Sequence, residues 1–236
     1  MPRSALILGA RNLGGAIADH LRSDGWETAC VARSAETLEA VSARGHRAIA
    51  ADAASIEDLN RAIAEAGDVE LIVNAVSASR PPRSGGPFGG GPLDGAGLDD
   101  FHGWTVAVAE QAFTFLHCGI AAMKRRGGGT LIQMTGGSSR RAMPERGLWA
   151  AGAFATKAMV HAAAQELRSE GIHVAIVAID AVIESPKTAG FAGDTPADAL
   201  ADMRLIAQAV QFLAEQERRA WTHELVLTPA GDRWLP

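Results

Sequence analysis

The chain has 236 residues, 47% hydrophobic and 21% charged, which suits one large α/β domain with a substantial core and excludes a disordered or fibrous chain. Its formal net charge of −5 excludes general attraction to nucleic acid or anionic lipid, leaving Lys124-Arg125-Arg126 and Arg140-Arg141 as local clusters able to hold a small anion. No stretch approaches the roughly 18 apolar residues of a bilayer span, so neither a membrane nor a nucleic-acid partner is expected and a cytoplasmic location is.

From the N-terminus, "SALILGA" reads as a buried strand stopped by glycine, and "GGAIADHLRSDG" as a helix with Ile17, Ala18 and Leu21 on one face. The pattern repeats as "ETACVARS" and "AETLEAVSARG", then "HRAIAAD" and "SIEDLNRAIAEAG", followed by "VELIVNAVS" as a fourth strand. Apolar strands alternating with amphipathic helices predict parallel pairing with helices on both faces of the sheet. Residues 79–97, rich in glycine and proline, sustain neither period and read as a loop, either a mobile binding loop after a strand's carboxyl end or an insertion without a role.

Beyond the loop, "DDFHGWTVAVAEQAFTFLHCGIAAMKRRGGG" predicts one long helix, "TLIQMTGG" a strand, and "WAAGAFATKAMVHAAAQELRSEG" a second long helix. "HVAIVAIDAV" follows as a strand, "PADALADMRLIAQAVQFLAEQE" as a helix and "THELVLTP" as a closing strand. The whole predicts a single-domain doubly wound α/β fold of about seven parallel strands over residues 1–236. The apolar helices around 104–124 and 150–169 suggest a homodimer or homotetramer interface. Cys30 and Cys118 lie in apolar segments without metal spacing and read as buried reduced thiols, and the seven histidines form no ligand array, so no metal is expected.

Gly9, Gly14 and Gly15 lie between the first strand and its helix, where backbone amides can hold a pyrophosphate, or where an ordinary tight turn can sit. Arg33 ends the second strand, the position at which an arginine meets a 2′-phosphate and a carboxylate would instead bind a free 2′-hydroxyl, so NADP is favoured over NAD. Arg11 is a second candidate for that phosphate, although both arginines also read as solvated surface charges. Asp52 ends the third strand, placed to accept from an adenine amino group or to cap the helix beginning near Ser55.

These residues together resemble the short-chain dehydrogenase/reductase family along essentially the whole chain. "GARNLGG" resembles the family's glycine motif, one residue short and with Leu13 after Asn12 where the middle glycine is usual. "ADAAS" is similar to the adenine-contacting segment through Asp52 and Ala53, "LIVNAVS" to the Asn-Asn-Ala-Gly segment at Asn74, and "IDAVIES", with Ile183, stands in place of the Pro-Gly turn at the nicotinamide. The resemblance implies a Rossmann fold and hydride transfer at a small carbonyl or alcohol, in which a tyrosine exchanges the proton, a lysine lowers its pKa and a serine holds the oxygen.

Carried over residue by residue, that machinery is largely absent. Lys157 matches the lysine, but Ala153 stands at the tyrosine position and the chain has no tyrosine. The serine position falls at Gly136 and the asparagine position at about Val108. This combination resembles an atypical branch of the family that lacks the tyrosine. Lys157 remains a candidate contact to the nicotinamide ribose or a helix-surface lysine. Asp180 is a candidate proton donor whose pKa desolvation would raise, or a carboxylate that replaces the turn's structural role. Ser138 and Ser139 are the remaining hydroxyls in reach, though a serine without an adjacent base is a poor acid, while His161 reads as core or interface and Trp149 as pocket wall. The expected function is an NADP-dependent oxidoreductase with an unusual proton donor, or alternatively an inactive dinucleotide-binding sensor or partner subunit.

Overall fold

The computed structural model describes residues 2–76, 91–186 and 188–233. Residues 79–90 of the glycine- and proline-rich loop therefore lie outside the described residues. Seven parallel strands form one sheet in the order β3-β2-β1-β4-β5-β6-β7. They are β1 Ser4–Leu8, β2 Glu27–Ala32, β3 Arg47–Ala50, β4 Leu71–Asn74, β5 Gly129–Gly136, β6 Ile172–Ile179 and β7 Glu224–Leu227. Chain order reverses between β1 and β4, which pair through Ala5↔Leu71 to Leu8↔Asn74 and open a crevice at their carboxyl ends.

Helices cover both faces, as the continuous apolar character of the strands demands. On one face α1 (Leu13–Ser23), α2 (Ala35–Ala43) and α8 (Met203–Ala214) bury Ile17, Leu21, Val41, Ile206 and Val210 against Ile7, Cys30, Val73 and Val177. On the other, α3 (Ile56–Ala66), α5 (Ala107–Arg126) and α6 (Gly147–Leu167) bury Leu59, Phe115, Met123 and Val160 against Leu6, Val31, Ile72 and Val174. The alternation Leu6/Ile7 and Val73/Ile72 sends successive side chains to opposite cores, the strand period expressed in packing. Both cysteines are free and buried, and burial pushes the Cys30 thiol up to about 12.

Local signals fix several ends. Ser34 accepts from the Thr37 amide at 3.3 Å to cap α2, and Ser55 accepts from the Asp58 amide at 3.3 Å to cap α3. Gly127, at φ 87, ends α5 in the left-handed conformation.

Three expectations need correction. The helix predicted from "DDFHGWTV" onward is interrupted, with α4 at Leu98–Phe101 and a π turn at His102–Val106 before α5. Leu98–Arg126 is also long and apolar enough to cross a membrane by length and composition, contrary to the reading that no stretch approaches that size; its apolarity serves the core, where Phe115, Leu116, Cys118 and Met123 are buried. Finally, "PADALAD" is not part of the α8 helix. Ala201 forms a parallel bridge with Ile183, and Asp202 starts α8 by accepting from the Arg204 amide at 2.6 Å. Between them lie a 3-10 turn at Ala197–Ala199 and, further upstream, the short α7 at Ala189–Ala192.

Candidate functional site

The crevice at the strands' carboxyl ends is a cavity of about 700 Å³, a trough running from the β1–α1 turn and the end of β2 to the start of α6. Its first wall is Gly9, Ala10, Arg11, Asn12 and Leu13. Gly9 takes φ +86, and a Cβ there would stand 2.9 Å from the Val76 backbone; a Cβ on Gly14 would overlap the Gly9 carbonyl oxygen. Both glycines are therefore demanded by close backbone approach. The first helical hydrogen bond of α1 runs from the Ala16 amide to the Asn12 oxygen at 3.0 Å, which leaves the amides before it without partners inside the helix. Leu13 begins α1 as a half-buried residue, so the shortened turn still delivers a helix N-terminus to the trough.

Arg33, Ser34, Thr37, Asp52 and Ala53 line the neighbouring stretch. Arg33 extends toward solvent with its guanidinium 3.6 Å from Asp52. Ser34 and Thr37, which sequence reasoning missed, sit beside it joined by a 2.7 Å hydroxyl hydrogen bond. Their legible signal was the cap pattern at the start of α2. Of the two roles expected of Asp52, the cap of α3 falls instead to Ser55, while Asp52 lines the trough with its Oδ1 accepting from the Ala54 amide at 3.0 Å.

Asn74 is fully buried and does not line the trough. It donates to Gln133 Oε1 at 2.8 Å and to Gln111 Oε1 at 3.1 Å, and accepts from Gln111 Nε2 at 2.9 Å. The pairing Asn74↔Gln133 between β4 and β5 brings the two amides together. Asn74, expected as a cofactor contact, thus stands behind the trough in a buried amide cluster whose cavity-facing members are Gln111 and Gln133. Gln111 lies nearly one helical turn past Val108, which also lines the trough, and no local spacing marks an amide there.

The reaction end is lined by Thr135, Gly136, Gly137, Ser138, Arg141, Arg146, Trp149, Ala153, Thr156 and Asp180–Ile183. Trp149 is pocket wall, tilted against Trp104 with ring centroids 6.1 Å apart. Ala153 is 2% exposed, so the tyrosine position presents a methyl group to the trough. Ser138 is buried and, among the described residues, its hydroxyl makes no hydrogen bond. Ile183 lines the trough while bridging Ala201.

Two expected catalytic groups are engaged elsewhere. Lys157 is not among the lining residues; its Nζ donates to Glu224 Oε1 at 2.6 Å, and His161 Nε2 lies 3.2 Å from Glu224 Oε2. With no phenol at residue 153 to hold it, the ammonium takes the carboxylate that the closing strand offers. Asp180 does line the trough, but Arg141 donates to both of its oxygens, one at 2.9 Å, and Arg140 Nη1 stands 3.7 Å away. The same hydrogen bonds hold the Arg141 guanidinium above its usual pKa. With both oxygens held by the guanidinium, neither is free to face a substrate oxygen, and this geometry opposes the role of proton donor. The Asp180 carboxylate also fills the space where a side chain on Gly137 would stand, which accounts for glycine there.

The model of the family described as short chain dehydrogenase matches residues 3–190, and the chain belongs to that family. Solved structures with this fold include an alcohol dehydrogenase from the archaeon Thermococcus sibiricus complexed with 5-hydroxy-NADP, 22% identical with a TM-score of 0.81 over 100% of both chains. A metagenomic short-chain oxidoreductase in complex with NADP is 22% identical, TM-score 0.74, over 97% of each chain. A blue fluorescent protein from a metagenomic library, in complex with NADPH, is 24% identical, TM-score 0.76, over 97% of each chain. No curated protein sequence matches the chain.

Proposed function

We propose that the protein is an NADP(H)-dependent oxidoreductase that moves a hydride between the dinucleotide and a small carbonyl or alcohol, using a proton donor other than a tyrosine. The reading is carried by the β1–α1 turn, where Gly9 and Gly14 let the backbone pack closely enough that the α1 N-terminus opens on the trough. The α1 N-terminus with Asn12 and Leu13 fits a pyrophosphate, Arg33 with Arg11, Ser34 and Thr37 fits a 2′-phosphate, and Asp52 and Ala53 fit the adenine. Ile183 and Ala181 fit the nicotinamide end. The structures solved with NADP and NADPH support the phosphorylated dinucleotide over NAD.

When bound, the nicotinamide supplies or accepts the hydride. The chain's own residues do the rest. Trp149 and the Ala153 methyl exclude water from one side of the reacting carbon, and Ser138 Oγ holds the substrate oxygen. With Lys157 and Asp180 engaged, Ser138 is the hydroxyl that passes a proton from solvent to that oxygen. A serine without an adjacent base is a weak acid, so turnover should fall roughly 10²–10⁴-fold below that of an enzyme with a positioned general acid. A panel of ketones and aldehydes incubated with NADPH tests this: at least one should consume the cofactor, and Ser138→Ala, which removes the donor that holds the substrate oxygen, should slow that consumption by about 10²-fold. Consumption indifferent to Ser138→Ala would remove the serine from the mechanism.

One observation favours a second reading, a dinucleotide-binding sensor or inactive partner subunit. Ala153 is buried at the tyrosine position while Lys157 and Asp180 are both paired away from a substrate. NADPH binding without consumption by any panel member selects that reading.

We propose also that the protein is cytoplasmic and self-associates as a homodimer or homotetramer through the helices around 104–124 and 150–169. Phe113 and Phe154 support this, being 51% and 44% exposed on α5 and α6. Light scattering should report a smaller particle for the Phe113→Glu/Phe154→Glu double variant.

A further inference from the structure

The charged residues that line the trough gather at its two ends, Arg33 and Asp52 at one and Arg141 and Asp180 at the other. Between them, at the carboxyl ends of β4 and β5 and on the flank of α5, the lining is neutral, and two amides, Gln111 and Gln133, supply much of its polarity. Both are almost wholly buried, at 5% and 4% exposure, and burying an amide is costly unless its hydrogen bonds are made.

A primary amide carries two N–H donors and two acceptor lone pairs. Those of Asn74 are all used: Oδ1 accepts from the Val76 amide at 3.3 Å and from Gln111 Nε2 at 2.9 Å, and Nδ2 donates to Gln111 Oε1 at 3.1 Å and to Gln133 Oε1 at 2.8 Å. A backbone N–H can only donate, so Val76 settles which end of the Asn74 amide is oxygen, and Asn74 then settles Gln111. Gln133 is settled by donating from Nε2 to the Met134 carbonyl at 2.8 Å. Each glutamine keeps one N–H and one lone pair that no protein group uses among the described residues. The reciprocal pair with Asn74 takes the edge of the Gln111 amide that faces Asn74, so its unused N–H and lone pair lie on the outer side. Gln111 and Gln133 line the trough and Asn74 behind them does not.

Sheet order places these amides on a definite part of a bound dinucleotide. From β1 the neighbours run β4, β5 and β6, so the β1–α1 turn and the residues after β6 are three strand spacings, roughly 14 Å, apart. A dinucleotide with its pyrophosphate at the turn and its nicotinamide at Ala181 and Ile183 lays the sugar that joins them across the ends of β4 and β5. That sugar is uncharged, and each of its hydroxyls both donates and accepts. Lys157, a candidate for this sugar in the sequence, is absent from the lining and bonds Glu224 instead.

We propose that Gln111, supported by Gln133, binds the hydroxyls of the nicotinamide-side ribose, an assignment that rests on the cofactor reading above. An amide with one N–H and one lone pair to give matches a vicinal diol, and Asn74 is the positioning residue that holds Gln111 in the orientation needed.

Calorimetric titration with NADP⁺, with its analogue lacking the 2′-hydroxyl of the nicotinamide ribose, and with adenosine 2′,5′-bisphosphate, which lacks that ribose altogether, tests the contact. The parent protein should bind NADP⁺ about fivefold or more tightly than the deoxy analogue. Gln111→Met should reduce that preference to about twofold or less, while changing the affinity for the bisphosphate by no more than about twofold. Lys157→Met should leave the preference as it is in the parent. Equal binding of NADP⁺ and the deoxy analogue by the parent would overturn the proposal without recourse to any variant. A preference that survives Gln111→Met, or is lost in Lys157→Met, would overturn it too, and an equal loss of bisphosphate and NADP⁺ binding in Gln111→Met would reduce Gln111 to a structural role. Binding of NADP⁺ that ignores the ribose hydroxyl removes this contact and leaves the cofactor reading standing, whereas no binding of NADP⁺ or the bisphosphate at millimolar concentration removes both.

Discussion

At the β1–α1 turn the trough offers groups that a ligand can take: helix amides without partners in α1, a guanidinium at Arg33 with only a 3.6 Å contact to Asp52, and capping hydroxyls at Ser34 and Thr37. At the start of α6 the charges are matched to one another instead, Asp180 to Arg141 and, just outside the cavity, Lys157 to Glu224. One end of the same cavity, the end proposed to hold a dinucleotide, is shaped by backbone geometry, which tolerates little substitution. The other is set by side chains that pair with one another above the sheet. Fold membership and reaction chemistry are therefore separable in this molecule, and each can be broken alone.

The backbone end should be the more fragile. Gly14→Val places a branched side chain against the Gly9 carbonyl, and overpacking of this kind costs roughly 1–3 kcal/mol; NADPH binding should disappear in the same variant, as fluorescence titration and thermal denaturation together would show. Unaltered binding would mean that the turn does not hold the pyrophosphate. At the other end, Asp180→Asn should cost about 2 kcal/mol in denaturant unfolding, less than breaking a fully buried pair because Arg141 keeps some solvent contact. The same variant should leave NADPH affinity within about threefold of the parent. Gly137→Ser should displace the Asp180 carboxylate and give a similar loss.

Smaller effects sharpen the contrast. Arg33→Asp should shift the NADPH-over-NADH preference by about tenfold or more, read as the ratio of two dissociation constants. Lys157→Met should change NADPH affinity by no more than about threefold, because the ammonium is held by Glu224 rather than the trough. A loss of tenfold or more would show that Lys157 leaves Glu224 when cofactor arrives.

The smallest effect lies away from the trough. Burial lowers the pKa of His173, with His223 adding to the shift and a backbone hydrogen bond to Thr222 opposing it, while the ring stacks on Trp221 at 4.9 Å. The unfolded chain then binds more protons as pH falls below about 6.5, so stability should decline from there toward the lower folded-state pKa and then level off. His173→Gln should flatten that decline.

The sheet was legible because its strands are uninterrupted apolar runs, and the direction of α1 and α3 because Ile17, Leu21, Leu59 and Ile63 recur at helical spacing. The segment before α8 was misread since "PADALAD" has helical composition, while Ala201 is taken by a tertiary bridge to Ile183 that no local period encodes. The loss of the tyrosine was visible at Ala153. Its consequences were not: that Lys157 would turn to Glu224, sixty-seven positions away, and Asp180 to Arg141, thirty-nine away, are long-range pairings that spacing cannot express. Gln111 was not legible for the same reason: its partner Asn74 lies on β4 and bonds in turn to Gln133 on β5.

Titration of the protein with NADPH and NADH, followed by nicotinamide fluorescence, tests the central claim most directly. The account predicts saturable binding of NADPH, about tenfold or more tighter than NADH. Failure of either dinucleotide to bind at millimolar concentration would contradict it.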